Sequence, residues 1–224
     1  DGALGPRTAS MVAPYENESK NYGMVITDKE QLLEYASRAS AHGLEMTVHA
    51  IGDRANHDVL DVFAQLRTDE AARGQAPAAR RHRIEHVQLL HPDDYQRLGQ
   101  LKIIASMQPI HATADMLMAE RHWGGRAAGA YAWRTQLNAG ATLAFGSDAP
   151  VESINPLKGI HAAVTRRRAD GAPGPDGWFP QQRLSVGEAV RAYTVGSAYA
   201  AHMEEDIGTL RPGKMADLIV LDRD

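Results

Sequence analysis

Three features of this 224-residue chain predict an α/β fold that forms half of an eight-stranded parallel barrel. Short apolar runs alternate with helical segments, the first two runs are spaced by about one crossover unit, and chemistry-bearing residues stand at or just past the C-terminal ends of the runs. Such alternation favours parallel strands joined by crossover helices. In β/α barrels the C-terminal ends of several strands meet at one mouth, so residues far apart in sequence converge there. His49 in MTVHAIGD, His86 in RIEHVQ and Asp148 in LAFGSDAP occupy that place.

The opening DGALGPRTA reads as glycine-rich loop. Residues 28–42 carry Leu32, Leu33, Tyr35, Ala36 and Ala39 at helical spacing, with Asp28 placed to cap the start and Gly43 to end the helix. The strand MTVHA follows, then a helix from about Arg54 to Arg73 that Asp53 can cap. Next come a strand at Arg83 to Val87, a helix from Pro92 to Leu101, a strand from Ile103 to Met107 and a helix from Ala127 to Asn138. A strand from Ala141 to Gly146 and a helix from Ser185 to Ala200 complete the series, the latter opened by Ser185 and Glu188 at capping-box spacing. Four parallel strands make half of an eight-stranded barrel, and residues 1–204 are assigned to it. Residues 205–224 contain GTLRPGKMADLIVLD, whose Gly/Pro turn and apolar run Leu218 to Leu221 predict a short strand pair outside the barrel. APGPDGWFP, from Ala172 to Pro180, reads as a loop near the mouth.

Composition narrows the function. A hydrophobic content of 43% supports a real core, and a net charge of −4 argues against nucleic-acid binding. The basic triplet Arg166 to Arg168 is read as a solvated helix face. With no cysteine, any metal must use nitrogen and oxygen donors. No stretch approaches the roughly 18 apolar residues of a membrane helix, and a cytoplasmic location is the working expectation.

Two imidazoles and a carboxylate form a ligand set suited to zinc or a related divalent ion. Asp148 can also accept a proton from water activated by such an ion, which points to hydrolysis. Each residue has a plainer reading as well. A barrel-mouth histidine is often only hydrogen-bonded to a loop, and Asp148 could cap the next helix. His111, at the functional end of its strand, is a candidate substrate contact. So are Arg7 in the first loop and Trp178, which with Trp123 and Phe179 could form an apolar wall. His82 precedes its strand and is read as structural, Arg134 as a salt-bridge residue, and His42, His57, His122, His161 and His202 as non-catalytic.

The strings DGALGPRTA, VHAIGDRA, HRIEHVQ, GSDAPVE with NPLKGIHAAVTR, QRLSVGEAVRAYTVGSAYA and GTLRPGKMADLIVLD occur in this order. They resemble the metal-dependent amidohydrolase superfamily, in the branch of N-substituted formamide deformylase-like enzymes. The resemblance implies the C-terminal half of a TIM-like (β/α)8 barrel, with the tail returning into a flanking β-sandwich. It also implies a centre of one or two metal ions that activates water against a C–N bond. His49 and His86 would be the metal histidines of the fifth and sixth strands. Asp148 would be the eighth-strand aspartate that binds metal and carries the proton to the leaving nitrogen. The family's first-strand His-x-His pair and fourth-strand lysine have no counterpart here, so the chain is expected to be the C-terminal portion of a longer enzyme and inactive by itself.

The expected partner is a small-molecule amide, with neither nucleic acid nor membrane. Self-association is expected through the open barrel edges, because uncovered strands invite pairing. The alternatives are a stable non-catalytic module, or a related hydrolase acting on cyclic amides, ring amines or esters. Simple amide hydrolysis ranks first because no group stands out that would read a ring.

Overall fold

The computed structural model describes residues 1–77 and 79–222. Its elements run α1 (Lys29–Ala41), β1 (Thr47–Ala50), α2 (Asp53–Ala72), β2 (Arg83–His86), α3 (Arg97–Leu101), β3 (Ile104–Met107), α4 (Pro109–Trp123), α5 (Trp133–Asn138), β4 (Thr142–Phe145), α6 (Pro156–Thr165), α7 (Val186–Arg191) and α8 (Ser197–Ala200). The sheet order is β1-β2-β3-β4 and every neighbouring pair is parallel. All four strands therefore end on the same edge, as the half-barrel prediction requires. Among the described residues no helix is long and apolar enough to cross a membrane.

Register divides the sheet into two faces, because side chains alternate along each strand. Val48, Ile84, Ala105 and Leu143 share one row, and with Ala50, Met107 and Phe145 they pack into the core beside Val59, Leu60, Phe63 and Leu66 of α2. Full burial of each large apolar side chain contributes roughly 1.5–3 kcal/mol. The opposite row holds His49, Glu85, Ser106 and Ala144.

A buried polar network ties the strand starts together. Met46 N–H, one residue before β1, donates to His82 Nδ1 (2.9 Å). His82 Nε2 then donates to Glu70 Oε1 (2.9 Å), which also accepts from Ser40 Oγ (2.6 Å). Arg67 joins Glu70 Oε2 (2.7 Å) to the carbonyls of Leu101 and Lys102 just before β3. His82 thus has the structural role its position implied.

Several elements differ from expectation. Pro92–Asp94 forms a 3-10 turn separate from α3, because the buried Asp94 carboxylate is drawn to His57 and Arg97. The helix expected from Ala127 begins only at Trp133, since Tyr131 takes a φ of 51° that no right-handed helix tolerates. Helix α4 follows β3 after a single residue, with Pro109 at its first turn. Between α7 and α8 the helix widens into a π turn over Ala192–Gly196. There a Cβ on Gly196 would come within 1.9 Å of Leu143 O, and Ser197 Oγ donates to Phe145 O (2.8 Å), so this segment lies directly against β4.

Arg166 overturns the solvated-face reading, being fully buried. Its guanidinium lies 4.5 Å from the Trp133 ring and 4.9 Å from the Trp178 ring, and it donates to Tyr131 O (2.8 Å) and to Trp178 O. The strand pair expected around Leu218–Leu221 does not form, and Ile219 and Val220 are 74% and 89% exposed. A strand needs a ladder partner, and none meets this segment among the described residues.

Candidate metal centre

His49 is the third residue of β1 and His86 the last of β2. By alternation His86 belongs on the helix-covered face. A φ of 78° at His86 and 48° at Val87 breaks the alternation, since a positive φ swings Cβ about the N–Cα bond relative to the preceding strand. The His86 ring comes to lie 4.6 Å from the His49 ring, edge to face. Asp148, three residues beyond β4, also adopts a left-handed φ of 58°. Non-glycine residues in this region cost about 1–3 kcal/mol each and gather at functional sites.

Ligand atoms of His86, His111 and Asp148 lie within 4.8 Å of one another. His111 Nε2 is 3.2 Å from Asp148 Oδ2, within hydrogen-bond reach. Two imidazoles and a carboxylate on one strand edge fit a divalent transition metal by donor chemistry. Burial and the neighbouring His49 hold the His86 imidazole below its ordinary pKa, which favours the neutral form a ligand needs.

The atoms behind these rings are also arranged. His86 Nδ1 lies 2.9 Å from Gln108 Oε1. His49 Nε2 lies 3.0 Å from Gly2 O and 3.4 Å from Asp1 Oδ1. The Asp1 carboxylate accepts backbone N–H groups from Ser10, Ile51 and Gly52, fixing the exit of β1.

Of the predicted residues, the structure brings His86, His111 and Asp148 into one cluster and sets His49 beside His86. Arg7 lies elsewhere, paired with Glu18 in its own loop. Trp178 is 4% exposed, with its indole N–H on Glu120 Oε1 (2.9 Å) and its ring against Arg166. It serves the core instead of a substrate wall, as does the fully buried Trp123. Arg134 pairs with Glu188. Sequence reasoning missed Gln108 and Asp1. Their position directly after β3 and in the DG opening was visible, but nothing local showed which histidine each would meet.

A partial TIM-like barrel with nitrogen and oxygen donors gathered at the strand C-termini defines the class. The amidohydrolase family model matches residues 1–224, and the chain belongs to that family. It is 39% identical over 225 residues to Protein LONG AFTER FAR-RED 3 of Arabidopsis thaliana, covering 99% of this chain and 37% of that protein. It is 29% identical over 198 residues to the N-substituted formamide deformylase of Arthrobacter pascens, covering 88% of this chain and 35% of that one. The crystal structure of an uncharacterized metal-dependent hydrolase from Pyrococcus furiosus matches with a TM-score of 0.82 and 33% identity, over 100% of this chain and 43% of that chain. The chain thus spans about two fifths of the length of these relatives.

Proposed function

We propose that this chain carries the C-terminal half of the active site of a metal-dependent hydrolase that cleaves non-peptide C–N bonds, in the manner of the N-substituted formamide deformylase-like branch. The observation that carries the reading is the convergence of His86, His111 and Asp148 within 4.8 Å at the strand C-termini. His49, His86 and Asp148 would hold the cation, zinc by donor preference, with His111 beside them. A cation held there would supply the Lewis acidity that makes water nucleophilic near neutral pH. Asp148 accepts the proton as water attacks the amide carbon and returns it to the nitrogen as the C–N bond breaks. His111, 3.2 Å from Oδ2, orients that carboxylate.

Residues 205–222, which form no strand here, would return into the flanking sandwich. The test is metal content by plasma mass spectrometry on protein purified without chelator and dialysed against trace zinc. One ion per chain, lowered in His86→Ala and Asp148→Ala, is expected. No metal above background in the wild type overturns the reading.

A second property follows from exposed apolar surface on the tail and from the edge position of β1, which pairs only with β2 among the described residues. These favour self-association. Sedimentation velocity should show concentration-dependent dimers or larger species, and a monomer throughout would refute it.

A further inference from the structure

We propose that Gln108 is a positioning residue that selects which ring nitrogen His86 offers to the metal cluster, an inference that rests on the metal reading above. Gln108 follows the last residue of β3 and is 8% exposed. It occupies the N-cap of α4, where a side-chain oxygen ordinarily accepts a hydrogen bond from the first turn. Its side chain makes no capping bond, and the His111 N–H is met by the Gln108 backbone carbonyl (3.0 Å). The freed amide reaches across to the neighbouring strand instead, placing Oε1 2.9 Å from His86 Nδ1.

A carbonyl oxygen only accepts, so Nδ1 carries the proton and Nε2 presents its lone pair. The nitrogen a histidine offers to a metal is set by the bond its other nitrogen makes. The same residue that starts α4 therefore orients His86, while three residues on, His111 reaches Asp148. One strand-to-helix corner thereby aligns groups contributed by β2 and by the loop after β4. His49 is held by the same logic in the opposite sense, with Nε2 on Gly2 O, so that Nδ1 is the nitrogen it can offer.

The experiment has two readouts. Long-range proton–nitrogen NMR on metal-free, histidine-labelled protein at pH 8 reports the His86 tautomer, assigned with His86→Ala. Wild type and Gln108→Glu should show a proton on Nδ1, whereas Gln108→Ala should shift it to Nε2. Zinc affinity, measured by competition with a chromophoric chelator, should fall about 10- to 100-fold in Gln108→Ala. Gln108→Glu, which keeps an acceptor, should restore it to within about threefold. A merely structural role would leave the tautomer unmoved. If Gln108→Ala does not fold, Gln108→Met keeps the length without the acceptor and must give the same shift. An Nε2–H tautomer in the wild type, or Nδ1–H retained without the acceptor, overturns the proposal. A wild type that binds no zinc overturns the metal reading, while the metal-free tautomer measurement still decides the role of Gln108.

Discussion

Replacing Glu70 with Gln should cost stability and spare the metal site. Glu70 is 1% exposed and accepts from Ser40, His82 and Arg67 at 2.6, 2.9 and 2.7 Å. The amide retains one oxygen, which can serve Ser40 and His82 as Oε1 does now. Its NH2 then faces Arg67 Nη1, donor against donor. Removing one partner of a buried ion pair costs about 3–5 kcal/mol. Arg67 keeps its bonds to the carbonyls of Arg80, Leu101 and Lys102, which places the loss near the lower limit, about 3 kcal/mol. Urea unfolding followed by fluorescence of the buried Trp123 and Trp133 would measure it. The network binds the starts of the strands and the histidine cluster stands at their ends, so zinc affinity should stay within about twofold. A loss below about 1 kcal/mol would show that the network does not hold the strands. A parallel fall in zinc affinity would show that the two ends of the sheet are not independent.

The same network makes stability depend on pH. Burial depresses the folded pKa of His82 below its ordinary 6.5, so the unfolded chain takes up the proton first. Its contribution is complete above pH 6.5 and is lost as pH falls through the depressed value. Glu70, held below its ordinary 4.5 despite burial by bonds from Ser40, His82 and Arg67, adds a further loss in more acid solution. Urea midpoints should therefore decline below pH 6.5, and a flat profile between pH 7 and 4 would contradict this. Arg166→Met strands two buried carbonyls and removes the cation from between two indoles, costing about 3 kcal/mol. That corresponds to a Tm lower by roughly 6–12 °C in calorimetry, and a shift under about 2 °C would refute it. Val87→Gly relieves about 1–3 kcal/mol of left-handed strain but loses a buried side chain worth a similar amount. Net stability should hold within about 1 kcal/mol, and zinc affinity should stay within about threefold, because glycine adopts the left-handed turn freely and keeps the main-chain bond to Ala50 O. A large fall in affinity would show that the Val87 side chain, not the backbone turn, places the His86 ring.

The four strands were legible because each is a short apolar run with a chain-reversing signal after it, and parallel pairing follows from the helices between them. Helix α4 was not, because Pro109 directly after a strand reads as a turn, although it also suits the first turn of a helix. Arg166 escaped for a different reason. Three adjacent arginines announce a charged surface, whereas the indoles that receive the first of them lie 33 residues before and 12 after it in the chain. The site was half legible in the same sense. Strand ends pointed to His49, His86 and Asp148, but the approach of His111 to Asp148 depends on α4 starting where it does.

The strained backbone links these observations. Val87 is 1% exposed and sits in the core, so burial alone would be met by a residue with ordinary dihedrals. The turn is held open by tertiary bonds: Val87 N–H donates to Ala50 O (3.1 Å) and Leu89 N–H to Ile51 O (3.0 Å), hanging the exit of β2 on the exit of β1. Asn56, fully buried, secures both sides by donating to the carbonyls of Ala50 and Leu89. Two neighbouring strands thus fix each other's departures, and the yield of that arrangement is the meeting of His86 with His49 against the alternation of the sheet. A scaffold that spends roughly 2–6 kcal/mol of strain over two residues must recover it elsewhere. The buried clamp of Glu70, Arg67 and His82 at the far end of the same strands is where this chain can do so.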